Sequence, residues 1–200
     1  MFKKKKLRYI RKFKNTFPGL TNKRINQRQN KPGEHPFFAS KKTSVKKSFL
    51  DRLHDKQKLK LNFCLNERQL KNYIKYTLSH ITNNPFLGLY NILHSRLDFI
   101  LYNIHLAKTI LQARQLINHG QVYVNSKKEK HPSFSCKVGD IILTKSKVAK
   151  ENIKYYLMGR VFFNAIIVDN IENITLKLQK PNFINLQILK LIQSAFEFYL

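Results

Sequence analysis

The residues best placed to do chemistry are Arg114, Gln115, Asn118 and His119, at one end of a predicted helix. Arg114 and Asn118 stand four apart and share a face, with Gln115 and His119 beside them. A guanidinium there can fork onto a phosphate, while the amides and the imidazole can bond ribose hydroxyls or base edges. Lys127 and Lys128 follow at a predicted hairpin tip, where they reach outward. Taken singly, each has a plainer reading: Arg114 as half of a surface ion pair, His119 as a solvated ring. Taken together in a strongly basic chain, they read as a surface for RNA. Cys64 and Cys136 lie far apart and in no CxxC pair, so they read as buried thiols rather than a disulfide or a metal pair.

The charge points the same way. There are 38 Lys and Arg against 11 Asp and Glu, a net +27 over 200 residues. Such an excess seeks a polyanion, and nucleic acid is the first candidate because neutralised phosphates release condensed counterions. An anionic membrane is weaker, because the basic N-terminus has no accompanying apolar face. Residues 1–60 hold 20 basic and 3 acidic residues, whereas 151–200 hold 5 and 4. The front of the chain is an electrostatic arm and the back is ordinary protein. Met1–Arg8 lacks the apolar region of a secretory signal, and the longest apolar run, Val161–Val168, is strand-length.

These residues need elements to hold them. Residues 1–45 alternate basic clusters with turn signals and weak apolar periodicity, which predicts an extended arm ordered mainly by its partner. Asn66 and Gln69 form a capping pair, behind which Leu70, Tyr73, Ile74, Thr77, Leu78 and Ile81 follow helical spacing. Asn84-Pro85 starts a further helix running to about Leu106, with Leu93, Leu97, Ile100, Leu101 and Ile104 on one face. Thr109 and Gln112 are a second capping pair, Ile110, Ala113, Leu116 and Ile117 face inward, and Gly120 stands where a C-terminal cap belongs. The period then falls to two: Val122 and Val124 open a hairpin turning at 125–128, Val138-Gly139-Asp140 turns into Ile141–Leu143, and strand-like runs cover 161–168 and 174–178. The tail from Ile184 to Leu200 fits helix or strand. The expected class is α+β: an extended basic arm (1–45), a small helical domain (46–92, with the tail 184–200 as a candidate addition), and a two-helix RNA-binding module with a small antiparallel sheet (93–183).

Arg96-Leu97-Asp98, Ala113-Arg114-Gln115-Leu116, His119-Gly120, Val124-Asn125, Pro132-Ser133 and Val138–Ile142 together resemble the αL RNA-binding domain named after small-subunit ribosomal protein S-four. The resemblance extends outside that module. Pro18-Gly19-Leu20-Thr21-Asn22-Lys23 is similar to the LPGLTxK segment of plastid members, and Pro32-Gly33-Glu34-His35 to the family's PG[QE]HG element. Asp55-Lys56-Gln57-Lys58-Leu59 and Asn66-Glu67-Arg68-Gln69-Leu70 resemble its EKQKLR and TERQL helices. The matches run in family order over roughly residues 8–145. There are departures: Ile110 stands where an arginine is usual, Gln112 replaces a glutamate, Pro36 a glycine, and Ser126 the hairpin glycine, so a turn wanting positive φ must be rebuilt or strained. The four-cysteine zinc knuckle of some bacterial relatives is absent, so neither metal nor cofactor is implied.

The resemblance implies a structural protein of the small ribosomal subunit, not an enzyme. It would bind a multi-helix junction of the rRNA 5′ domain early in assembly and neighbour protein S-five and mRNA near the entry channel. Arg114, Gln115, Asn118, His119, Lys127 and Lys128 are then expected to face rRNA. Arg8, Arg11, Lys12, Lys23, Arg24 and Arg28 would track phosphates, and Lys56, Lys60, Arg68, Lys71 and Lys75 would add a helical contact face. Two rivals share the module. In a pseudouridine synthase the catalytic aspartate sits in an RLD motif, but Asp98 falls inside the module's first helix and about 55 residues after Leu143 are too few for a catalytic sheet. A stand-alone αL RNA chaperone would need neither the arm nor the 45–92 helices. The Lys, Asn, Ile, Phe and Tyr enrichment suggests an AT-rich genome. The family match begins within the first ten residues, leaving no room for a cleavable transit peptide. We therefore expect an organellar ribosome, with a plastid, non-photosynthetic ones included, favoured over a mitochondrion.

Overall fold

The computed structural model describes residues 6–13, 17, 19–21, 47–81, 83–146, 165–168, 174–178 and 185–199. It is an α+β protein. In chain order the elements are α1 (Lys6–Phe13), α2 (Lys47–Asn62), α3 (Glu67–His80), α4 (Pro85–His94), α5 (Leu97–Asn103), α6 (Ile110–Asn118), β1 (Val122–Val124), β2 (Lys127–Lys128), β3 (Ile141–Thr144), β4 (Ala165–Val168), β5 (Ile174–Leu178) and α7 (Leu186–Tyr199). None of the described helices is long and apolar enough to cross a membrane.

The RNA-module residues sit on α5, α6 and an all-antiparallel sheet of order β2-β1-β3-β5-β4. Thr109 caps α6 by accepting from the Gln112 N–H at 3.2 Å, and the Gln112 side chain accepts from the Lys108 N–H at 2.8 Å. At the other end the Gly120 N–H donates to Ile117 and the Gln121 N–H to Leu116, the two bonds of a Schellman motif, with Gly120 at φ +66. The chain is thereby turned straight into β1, whose Val122 and Val124 join Leu97, Leu101, Ala113, Ile117 and Ile142 in one core. Val124 pairs with Lys127, leaving a two-residue turn of Asn125 (φ +49) and Ser126 (φ +68). The turn is therefore kept despite the missing glycine, at the cost of left-handed backbone on a serine. Asn125 steadies it by donating to Asp140 and accepting from the Ile141 N–H.

The helix expected from Asn84-Pro85 to Leu106 is broken. Asn84 does cap it, accepting from the Leu87 N–H at 3.1 Å. However, Arg96 is extended (φ −66, ψ 135) between α4 and α5. The reason is tertiary: residues 132–136 run alongside, taking the Leu97 N–H on the Phe134 carbonyl, the Asp98 N–H on Pro132, and giving the Cys136 N–H to Ser95. Those bonds replace the helical ladder at 95–98.

A second core gathers α2, α3, α4 and α7 around Phe63, Leu70, Ile74, Leu93 and Phe196. The capping pair on α3 is present in its Gln69 half, which accepts the Asn66 N–H at 3.1 Å. Of the expected inward stripe, Leu78 is exposed, whereas Thr77 is buried as expected, its hydroxyl donating to the Ile74 carbonyl. The ambiguous tail is a helix over 186–199, packed on α2 and α4 through Ile192, Ala195 and Phe196. Asn185 caps it, accepting from the Gln187 and Ile188 N–H groups.

A third core corrects the expectation of an extended arm. Residues 6–13 are helical because Tyr9, Ile10 and Phe13 fall on one face of the basic run. Ile10, Phe17 and Leu20 are buried with Leu61, Cys64 and Ile110. Gly19 approaches so closely that a Cβ would stand 2.8 Å from Ile110 Cδ1 and 2.9 Å from the Asn62 carbonyl, while its own carbonyl accepts the Ile110 N–H. The rest of the arm, including Pro32–His35 and Pro36, lies outside the described residues.

Candidate nucleic-acid interface

Basic side chains in this molecule have two destinations, and the first is inward. Asp98, 1 % exposed, is met by three guanidinium N–H bonds: Arg96 Nε at 3.1 Å, Arg96 Nη2 at 2.8 Å and Arg114 Nε at 2.7 Å. Arg114 then donates to the Cys64 carbonyl at 2.8 Å and the Phe63 carbonyl at 3.1 Å, and Arg96 to the Tyr73 hydroxyl at 2.6 Å. One carboxylate and two arginines thus bolt the C-terminus of α2, the middle of α3, and α5 to α6. Burial works against the Arg96 charge, but the bonds from Asp98 and Tyr73 outweigh it and hold its guanidinium above the ordinary value. Arg114 was expected to grip a phosphate. It grips protein instead, because its fork meets Asp98 and two helix-end carbonyls before it reaches solvent. The same bonds occupy both oxygens of the RLD aspartate.

Lys56 and Lys60 also leave the expected contact face. Lys56, 6 % exposed, donates to Glu67 Oε1 at 2.8 Å and lies 3.7 Å over the Phe198 ring. Lys60 reaches Glu67 Oε2 at 2.6 Å, and the Tyr199 hydroxyl donates to the same carboxylate. Burial raises the Glu67 carboxyl, yet these three donors prevail and pull it down to about 2. The cluster ties α3 and α7 to α2.

The second destination is outward. Gln115, Asn118 and His119 are exposed along the end of α6, and Lys127 and Lys128 on β2. Lys128 folds back over Gly120: a Cβ there would meet its Cε at 2.0 Å and its Nζ at 2.7 Å. Gly120 therefore answers two demands, positive φ and room for the lysine, which brings the hairpin charge beside His119 at the negative end of the α6 dipole. Arg8 and Lys12 are exposed on α1 and Arg11 is half-buried; Lys12 donates to the uncharged Gln57. Arg68, Lys71 and Lys75 are exposed on α3. Among the described residues, none of these eight cations has a carboxylate partner. Lys23, Arg24 and Arg28 lie outside the described residues.

Several exposed cations complete this surface without having been singled out: Lys108, Lys130, Lys137 and Lys145. Lys145 lies 4.7 Å over the Tyr123 ring. The signal was available in the period-two alternation, which puts Tyr123 on the face opposite the buried Val122 and Val124, level with Lys128. Ile110 is fully buried against Gly19, so its departure from arginine is a packing choice. Both cysteines are buried, the Cys64 thiol against the Gly19 and Leu61 carbonyls, and burial pushes the Cys136 thiol up to about 12. The described residues hold no group of His, Cys, Asp or Glu arranged for a metal.

The S4 domain family matches residues 95–142, the stretch from Ser95 to Ile142 at the start of β3. Over most of its length the chain is similar to curated small-subunit proteins. It is 38% identical over 148 residues to "Small ribosomal subunit protein uS4c" of Tupiella akineta, covering 74% of this chain and 71% of that one. It is 38% identical over 149 residues to "Small ribosomal subunit protein uS4" of Synechococcus sp. (strain JA-2-3B'a(2-13)), covering 74% and 70%. It is 39% identical over 145 residues to the uS4c protein of Prototheca wickerhamii, covering 71% and 69%.

Proposed function

The chain belongs to the uS4 family of small ribosomal subunit proteins, and from that premise we propose that it binds small-subunit rRNA through the outward basic faces of α1, α3 and the β1–β2 hairpin, with the polar end of α6 beside them. It is a structural constituent of the small ribosomal subunit, a non-enzymatic role in keeping with its relatives. The finer reading is a primary binder of the rRNA 5′ domain that nucleates assembly and neighbours S-five and the mRNA entry channel, in a plastid ribosome. The uS4c relatives support the plastid. We divide the chain into the arm (1–45), the 46–92 helices with the tail, and the 93–183 module; the core that α7 shares with α2, α3 and α4 supports adding the tail to the helical domain.

The observation that carries this reading is the sorting of charge. The Asp98 and Glu67 carboxylates are taken up by Arg96, Arg114, Lys56 and Lys60, while eight exposed or half-exposed cations on a braced scaffold meet no carboxylate among the described residues. Folded RNA is read by shape, phosphate and 2′-hydroxyl contacts, which such a rigid basic surface suits. The test is a titration of the full chain against a small-subunit rRNA 5′-domain transcript, with excess tRNA, at two salt concentrations. Tight binding that survives the competitor and falls steeply with salt is expected. Equal affinity for both RNAs would leave charge alone acting and favour the chaperone reading.

A further inference from the structure

The outward side of α3 carries an exposed aromatic side chain beside its cations. Its inward stripe is Leu70, Ile74 and Thr77. At 3.6 residues per turn, Arg68, Asn72, Lys75 and Ser79 form the crest of the opposite side, with Lys71 on one flank and Tyr76 and His80 on the other. Tyr76 is 51% exposed, far above what a core-seeking ring of this size shows in the rest of the helix. Its ring is nonetheless held in place. His80 stacks on it, with centroids 4.4 Å apart and planes 18° from parallel. The His80 Nδ1 lies 2.6 Å from the Ser79 hydroxyl and 3.1 Å from the Tyr76 carbonyl, so the imidazole is pinned as a backing plate.

A half-exposed ring backed on one side, next to a crest that carries Arg68 and Lys75, matches what an unpaired nucleotide offers: a flat π-face joined to a phosphate. A base inside a duplex has no free face to present, so the fit is to a base splayed out of, or ending, an RNA helix. The only carboxylate on α3, Glu67, is bonded to Lys56, Lys60 and Tyr199, which leaves the face without a charge to repel phosphate. We infer that Tyr76 is a stacking platform for an unpaired base of the bound RNA, with Arg68 and Lys75 on the neighbouring crest holding the adjoining phosphates. This inference rests on the rRNA reading and adds to it a base contact on the helical domain, remote from the αL module.

The test separates stacking from charge. Full-length chain, Tyr76→Ala, Tyr76→Phe and Lys75→Gln are titrated with the 5′-domain transcript over a range of salt concentrations. Tyr76→Ala should weaken binding roughly 5- to 100-fold, the size of one lost base–aromatic stack, with no change in the salt slope. Tyr76→Phe should bind as the unsubstituted chain does, and Lys75→Gln should lower the slope by roughly 0.7–0.9. The exposed ring leaves folding undisturbed, which matching thermal melts of all four proteins check. Unchanged affinity in Tyr76→Ala would overturn the platform, as would equal losses in the Ala and Phe variants or a changed slope in Tyr76→Ala. If the unsubstituted chain itself showed no preference for the transcript over tRNA, the rRNA reading would fail and this inference with it. An intact preference with a neutral Tyr76→Ala removes the platform alone.

Discussion

Arg114 and the Lys127–Lys128 pair lie on the same module, and the chain puts the same kind of charge to opposite uses. Arg114 is held by Asp98 and the Phe63 and Cys64 carbonyls, whereas Lys127 and Lys128 stand on a two-residue hairpin with no carboxylate partner among the described residues. The difference lies in what each side chain can reach. Arg114 comes off the middle of α6, over the end of α2, where the Phe63 and Cys64 carbonyls and a buried carboxylate lie within reach. The lysines come off the edge strand β2, where the stem of Lys128 lies over Gly120. A positive charge that finds protein acceptors becomes part of the frame, and one that finds none is left for a polyanion.

The largest expected effect follows from taking away the inward acceptor. Asp98→Asn strands two buried or half-buried guanidinium groups, and breaking such a network costs about 3–5 kcal/mol. For a chain of this length that lowers the melting temperature by roughly 10 °C, read by circular dichroism. Arg114→Gln should move in the same direction while leaving the salt dependence of RNA binding as it was. A normal melt for Asp98→Asn would show that the internal network is not what holds α2, α3, α5 and α6 together.

The outward set should respond in the opposite way. Replacing Lys127 and Lys128 together by Gln removes up to two phosphate contacts, lowering the salt slope by about 1.5 in total. The melting temperature should scarcely move, since exposed substitutions usually stay within about 0.5 kcal/mol. A lost melting transition with an unchanged slope would reverse the comparison, making the hairpin lysines structural and Arg114 the RNA contact.

How far the sequence reveals this division depends on distance along the chain. The caps at Asn66, Asn84 and Thr109, the Gly120 stop and the period-two valines are signals contained within about a turn, and each element begins or ends where its signal stands. The fates of the charges are not local. Arg114 and Asp98 are 16 residues apart, Arg114 and Cys64 are 50 apart, and Lys56 and Glu67 are 11 apart. Nothing in the local spacing distinguishes the inward arginine from an outward one. The break at Arg96 is hidden for the same reason, since residues 132–136 cause it. The arm misleads differently: its charge density masks the spacing of Tyr9, Ile10 and Phe13, whose packing makes residues 6–13 helical. The signal at α7 was local but unread, for Asn185 is an N-cap that would have decided between helix and strand.

The smallest effect concerns the backbone beneath the outward lysines. Ser126 holds φ +68 next to Asn125 at φ +49, so both central turn positions are left-handed. Asparagine tolerates that region and serine does not favour it; for an L-residue the conformation costs about 1–2 kcal/mol. Ser126→Gly removes the strain but gives the unfolded chain more freedom, so the net gain should be about 0.5–1 kcal/mol, or a rise of about 2 °C in melting temperature. The salt slope should stay the same, because the lysines are neither added nor moved. This variant separates the scaffold from the charges it carries. A hairpin that gains stability without gaining phosphate contacts means the β1–β2 pairing already holds Lys127 and Lys128 in place. A steeper slope in the glycine variant would mean that strain at Ser126 keeps one of them from the RNA, and the outward set would then depend on the frame as closely as Arg114 does.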